Sequence, residues 1–181
     1  MTGSDANTSR QSALVVIDVQ RALFEKRTPV YHADALLRNI ASLVDRAHAH
    51  GCPVFVFRHS NQSFLAHGSD GWQLHPAFNP TAADILLDKQ HGSAFVDPSF
   101  QQQLQARGVH RLVVTGLVSN GCVKATCEDA LKLGYAVALV EDGHSSYHKD
   151  AAQIIEEWNR RLSASGVEVV AADAVDFRPP A

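Results

Sequence analysis

Leu14-Val15-Val16-Ile17 runs directly into Asp18-Val19-Gln20. Four apolar residues with no polar alternate are the signature of a strand covered on both faces, since a strand wet on one side alternates. A carboxylate placed straight after such a run is costly to bury unless it is paired. Asp18 therefore belongs either to a polar site or to a salt bridge or helix cap. The same design recurs along the chain. Val54-Phe55-Val56-Phe57 ends at Arg58 and His59, and Ile85-Leu86-Leu87 runs into Asp88 and Lys89. Residues 111–115 form a strand closed by Gly116, and 136–140 and 167–170 supply the last two strands.

Helical patterns fill the intervals. Leu36, Leu37, Ile40, Leu43, Val44 and Ala47 follow a helical repeat that Gly51 stops. Asp97-Pro98 reads as an N-cap and first helical position, opening a helix that reaches Arg107 and Gly108. A further helix starts near Ser119 or Asn120 and runs to Leu133, and Ala151, Ile154, Ile155, Trp158 and Leu162 mark the last one. Strands alternating with helices predict a three-layer α/β/α fold: a Rossmann-like, mostly parallel six-stranded sheet with helices on both faces. Such sheets bind ligands beyond the carboxyl ends of their strands, where the strand order reverses. Asp18, His59 and Lys89 end strands and Cys122 follows one, so all four are expected on one rim. Residues 60–80 have no period, and a loop of that length is more often functional than idle.

Length and composition set the frame. The 181 residues are 45% hydrophobic and 19% charged, with a net charge of -3. This is globular composition. It predicts one domain over 12–181, preceded by a polar, disordered lead-in over 1–11 that is no secretory signal. The charge offers no basic footprint for nucleic acid, and no apolar run is long enough to span a bilayer. Three cysteines without a signal segment argue for reduced thiols and a cytoplasmic protein.

Of the thiols, Cys52 begins a strand and Cys127 falls inside a helix beside Thr126 and Ala130, so both read as small core hydrophobes. Cys122 stands near a helix start, in Gly116-Leu117-Val118-Ser119-Asn120-Gly121-Cys122-Val123. There the helix dipole, and Lys89 if it is near, would lower the thiol pKa, and free backbone N–H groups would hold an oxyanion. Gly121 would let a substrate come close.

Taken together, these residues resemble the isochorismatase-like cysteine hydrolase superfamily of nicotinamidases, carbamoyl-amide hydrolases and isochorismatases. The matching pieces are Ala13 to Gln20; Asp88-Lys89 with Ser93-Ala94-Phe95; Leu112 to Gly116; Cys122-Val123-Lys124-Ala125-Thr126-Cys127-Glu128-Asp129-Ala130; Gly134-Tyr135; and Val140-Glu141-Asp142. The resemblance implies a catalytic triad of Asp18, Lys89 and Cys122. It also implies a cis peptide between Leu117 and Val118, and an oxyanion hole made by the backbone N–H groups of Val118 and Cys122. In such enzymes a thiolate attacks a carbonyl, an amine leaves, and water cleaves the thioester.

Departures narrow this. Nicotinamidases carry a metal-binding Asp-x-His pair after the second strand, where this chain has Phe57-Arg58-His59-Ser60-Asn61. His67 and His75 lie downstream without compact ligand spacing, so no metal and no cofactor are expected. Isochorismatases cleave a vinyl ether without needing a cysteine, so Cys122 favours amide, ureido or lactam chemistry on a small molecule. Vinyl-ether hydrolysis and non-catalytic binding on the same fold are the alternatives. Phe24, His59, Trp72, Phe95 and His144 are candidates for the substrate pocket, each of them equally readable as packing or loop. Relatives of this kind form dimers or larger homo-oligomers.

Overall fold

Along β1 (Gln11–Ile17) successive side chains go to opposite faces of the sheet, and both faces are covered. Leu14 and Val16 enter one buried cluster, while Ala13, Val15 and Ile17 enter another. This double burial is what the unbroken apolar run encodes. The structure, a computed structural model, describes residues 11–178. The lead-in expected over 1–11 lies outside the described residues, apart from Gln11, which opens β1 opposite Val109. Residues 179–181 also lie outside them.

After β1 come α1 (Arg21–Phe24), α2 (Ala33–Ala49), β2 (Val54–His59), β3 (Ile85–Lys89), α3 (Pro98–Ala106) and β4 (Val109–Leu117). A π-type turn over Ser119–Val123 then leads into α4 (Lys124–Lys132), followed by β5 (Ala136–Ser145), α5 (Ala151–Ala164) and β6 (Glu168–Val170). All ladders are parallel and the strand order is β3-β2-β1-β4-β5-β6. The fold is the expected α/β/α one. On one face α2 lays Leu36, Ile40, Leu43 and Ala47 against the sheet, together with Leu65, Phe78 and Phe177. On the other, α3 brings Phe100 and Leu104, α4 brings Cys127 and Ala130, and α5 brings Leu162. No helix among the described residues is long and apolar enough to cross a membrane.

The order reverses between β1 and β4, and here the backbone departs from regularity. Asp18 leaves β1 with a φ of 53°, a left-handed conformation that Asp tolerates better than most residues. Its N–H still donates to Phe57 O at 3.0 Å. Gly116 has a φ of 115°, and a Cβ there would stand 2.0 Å from Ile17 O. Gly116 does not close β4, as expected from sequence, but lies inside it, paired with both Ile17 and His144. A register shift between Val114 and Gly116 carries β5 past Val140, through exposed Glu141 and Asp142, to buried His144 and Ser145. Those two acidic residues are why β5 reads five residues too short from its sequence. The Leu117–Val118 peptide is cis.

These glycines give a contrast to measure. Gly116→Ala is expected to destabilise the protein by more than about 3 kcal/mol, since left-handed strain is joined by a backbone collision. Gly51→Ala has a similar φ sign, of 66°, but open space around it, and should cost only about 1–2 kcal/mol. Urea midpoints of the two variants check this.

Candidate active site

The ends of β1, β2 and β3 bring three polar side chains to one point, and the turn after β4 brings the fourth. Lys89 Nζ donates to Asp18 Oδ2 at 3.0 Å and lies 3.2 Å from Cys122 Sγ. It also donates to His59 Nδ1 at 3.2 Å and to the His91 carbonyl at 3.1 Å. Lysine has only donors, so His59 must present Nδ1 as an acceptor. Asp18 and Lys89 are almost fully buried, and Cys122 is partly exposed. Asp18 Oδ1, the oxygen turned away from Lys89, is buried with no hydrogen-bond partner among the described residues.

Burial governs the protonation states. It raises the Asp18 carboxyl above the ordinary carboxylate range against the pull of Lys89. Burial first, and the Asp18 charge second, push the Cys122 thiol up to about 11, again against Lys89. This reverses the sequence expectation of a lowered thiol. The helix proper starts only at Lys124, so Cys122 sits in the π-type turn before it, and desolvation outweighs both the helix end and Lys89. Burial and Lys89 together hold His59 below its usual value, which keeps its ring neutral.

The turn itself is irregular. Gly121 has φ -125° and ψ -112°, outside the helical region, and a Cβ there would lie 3.0 Å from Val118 Cγ2. Val118 O accepts the Gly121 N–H at 3.0 Å and the Val123 N–H at 3.3 Å. The Val118 N–H has no hydrogen-bond partner among the described residues.

The expected pocket residues scatter. His59 touches Lys89, as above. Phe95 packs on Phe100 and Tyr135, against the cluster that Cys122 also borders. Phe24 lies against His75, with ring centroids 4.5 Å apart. Trp72 is buried beneath the Arg58 guanidinium, 3.9 Å from its ring centroid, with His67 on its flank. His144 borders a different cleft, beside Tyr31 and Asn39, and its Nδ1 lies 2.7 Å from Ser119 Oγ and its Nε2 2.8 Å from Asn159 Oδ1, so both ring nitrogens are occupied inside the fold. A cleft of about 410 Å³ opens beside Lys89, lined by Ser60, His67, Gln90, His91, Val96 and neighbouring residues, and by none of those five.

Asp18, His59 and Cys122 each bring a ligand-type atom within 4.8 Å of the others. The Lys89 ammonium already touches all three, so a divalent ion among them would have to displace a resident cation. His67 and His75 do not join His59 in a ligand cluster among the described residues.

A model of the Isochorismatase domain matches residues 12–174. The chain belongs to the isochorismatase family. A streptothricin hydrolase of Streptomyces noursei is 32% identical over 172 residues, which is 93% of this chain and 68% of that protein. A second streptothricin hydrolase from that organism is spanned to 62% of its length. A ureidoacrylate amidohydrolase of Variovorax paradoxus is 37% identical over 116 residues, covering 64% of this chain and 46% of the relative. The solved structure of an isochorismatase from Pseudomonas putida superposes with a TM-score of 0.84 at 26% identity, over 94% of this chain and 92% of that one. As an isochorismatase-family member the chain is a hydrolase.

In this family member, sequence reasoning missed Gln20. Its Oε1 accepts the His59 N–H at 2.8 Å, and its Nε2 donates to His59 O at 2.9 Å and Trp72 O at 2.8 Å. The one signal for it was a second polar residue at the end of a buried strand. The His91 carbonyl had no signal at all, because a main-chain acceptor is carried by any residue.

Lys89→Met tests the buried pair. It strands the Asp18 carboxylate in the core and should cost about 3–5 kcal/mol at neutral pH. The loss should shrink as pH falls through the raised Asp18 pKa, because the protonated acid needs no partner. Urea denaturation at two pH values measures both.

Proposed function

We propose that this isochorismatase-family chain hydrolyses a C–N bond of a small amide, ureido compound or lactam through a thioester on Cys122. The observation that carries the reading is the contact of one ammonium, Lys89 Nζ, with Asp18 Oδ2 at 3.0 Å and Cys122 Sγ at 3.2 Å. A buried acid, a buried cation and a partly open thiol are thereby coupled at the end of the sheet where ligands bind. The names of the relatives, streptothricin hydrolase and ureidoacrylate amidohydrolase, support an acyl substrate.

The chemistry follows from the protonation states. At rest Cys122 holds its proton. As Sγ bonds to the substrate carbonyl carbon, that proton passes to the free Oδ1 of Asp18, whose raised pKa suits it to receive and return one. Lys89 stabilises the negative charge on sulfur during the transfer. The carbonyl oxygen gains charge and takes hydrogen bonds from the Val118 and Cys122 N–H groups. Collapse breaks the C–N bond, and Asp18 gives its proton to the departing nitrogen. Water then attacks the thioester, Asp18 takes its proton, and the acid product leaves as the thiol re-forms.

Ammonia or amine release from a panel of primary amides, ureido compounds and lactams tests this. Cys122→Ala should abolish the activity found; a variant that keeps most of it would favour vinyl-ether cleavage instead. Iodoacetamide should label Cys122 well ahead of Cys52 and of Cys127, because both of those are buried, with Cys127 pushed up to about 12. Equal labelling of the three thiols with activity intact sinks the proposal. The acid limb of kcat/KM should lie above pH ~4, the unperturbed carboxyl range, because Asp18 must be ionised to take the thiol proton.

A further inference from the structure

The turn that carries Cys122 has little helical regularity of its own, so something outside it must fix its shape. Its first residue, Ser119, is fully buried, and the hydroxyl meets His144 Nδ1 at 2.7 Å. On the far side of the ring, His144 Nε2 meets Asn159 Oδ1 of α5 at 2.8 Å. Burial holds the His144 ring below its ordinary pKa, so it is neutral with one donor and one acceptor. The carbonyl oxygen of Asn159 accepts from Nε2–H, which leaves Nδ1 to accept from Ser119 Oγ–H. Each polar atom in this buried chain then has a role that fits its chemistry. The backbone of His144 is also paired with Gly116 in the ladder. One residue thus grips the strand before the turn through its main chain and the turn itself through its ring.

We infer that His144 is a positioning residue: through Ser119 it fixes the turn that aims Cys122 Sγ and the Val118 N–H, with α5 as its anchor. The inference rests on reading Cys122 as the reactive thiol. Ser119 is three residues before Cys122, and Val118 immediately precedes Ser119, so rotation of the Ser119 peptide moves both the thiol and the N–H beside it. Val118 O holds the Gly121 and Val123 N–H groups from within, at 3.0 and 3.3 Å, and these bonds do not reach outside the turn. The Ser119–His144 bond is the side-chain hydrogen bond that fixes the first residue of the turn to β5, beside the packing of Val123 in the core.

Alkylation of Cys122 by iodoacetamide, followed by mass spectrometry across a range of pH, tests both readings separately and needs no substrate. His144→Phe and Ser119→Ala each remove the bond, and each should slow labelling at pH 8 about tenfold and move the pH midpoint upward, because the thiolate loses its oriented N–H groups and Lys89. His144→Asn keeps an acceptor where Nδ1 stood and should stay within about threefold of the parent protein. The double variant should be no slower than either single one, since both cut the same bond. Should His144→Phe fail to fold, Ser119→Ala, which removes a single buried hydroxyl, carries the same expectation. If the parent labels Cys122 selectively and both variants keep its rate and midpoint, the positioning role is overturned while the nucleophile stands. If the parent shows no selectivity for Cys122, the reading of the nucleophile itself falls.

Discussion

One ammonium organises the site. Lys89 Nζ has three protons and stands within 3.0 to 3.2 Å of four acceptors: Asp18 Oδ2, His59 Nδ1, the His91 carbonyl and Cys122 Sγ. Three of these groups come from the ends of strands or the turn after one, and a buried cation of this kind is tolerable only while they converge on it. The register of β1, β2 and β3 is therefore tied to Lys89 as firmly as to apolar packing. A one-residue slip of any of the three would remove a partner from the charge. Because there are more acceptors than protons, the hydrogen bond to sulfur is the one that strengthens when sulfur becomes charged.

Water exclusion sets the other half of the electrostatics. Burial raises both the Asp18 carboxyl and the Cys122 thiol, in each case against the pull of Lys89. The Cys122 thiol nevertheless stays partly exposed beside Lys89, whereas Cys52 and Cys127 are buried. The orphaned Oδ1 of Asp18 fits this picture. An unpaired buried acceptor is costly, and such groups persist where chemistry uses them.

The fold was legible because double burial leaves a plain trace, and 14–17, 54–57 and 111–115 are unmistakable in that respect. The polar residues directly after them were legible too, as a rim. What the sequence hid follows from physics that single residues do not display. The end of β5 was obscured by exposed Glu141 and Asp142, which interrupt the ladder before it resumes at His144 and Ser145. The turn at Cys122 read as the start of a helix because capping residues and small residues look alike in both. Side-chain amides such as Gln20 and Asn159 carry no periodic signal, and their value lies wholly in partners distant in the chain. His144 read as a candidate for the substrate pocket, whereas its ring turns inward to Ser119.

Gln20 divides the long connection between β2 and β3 into parts with different duties. Its amide fixes His59 at the start of that connection and Trp72 within it, and an antiparallel bridge to Leu74 continues the attachment. The span between these two moorings sends Leu65 into the core cluster and lends Ser60 and His67 to the cleft beside Lys89. A change at His67 alters the wall of that cleft while the Gln20 amide keeps its hold on His59 and Trp72.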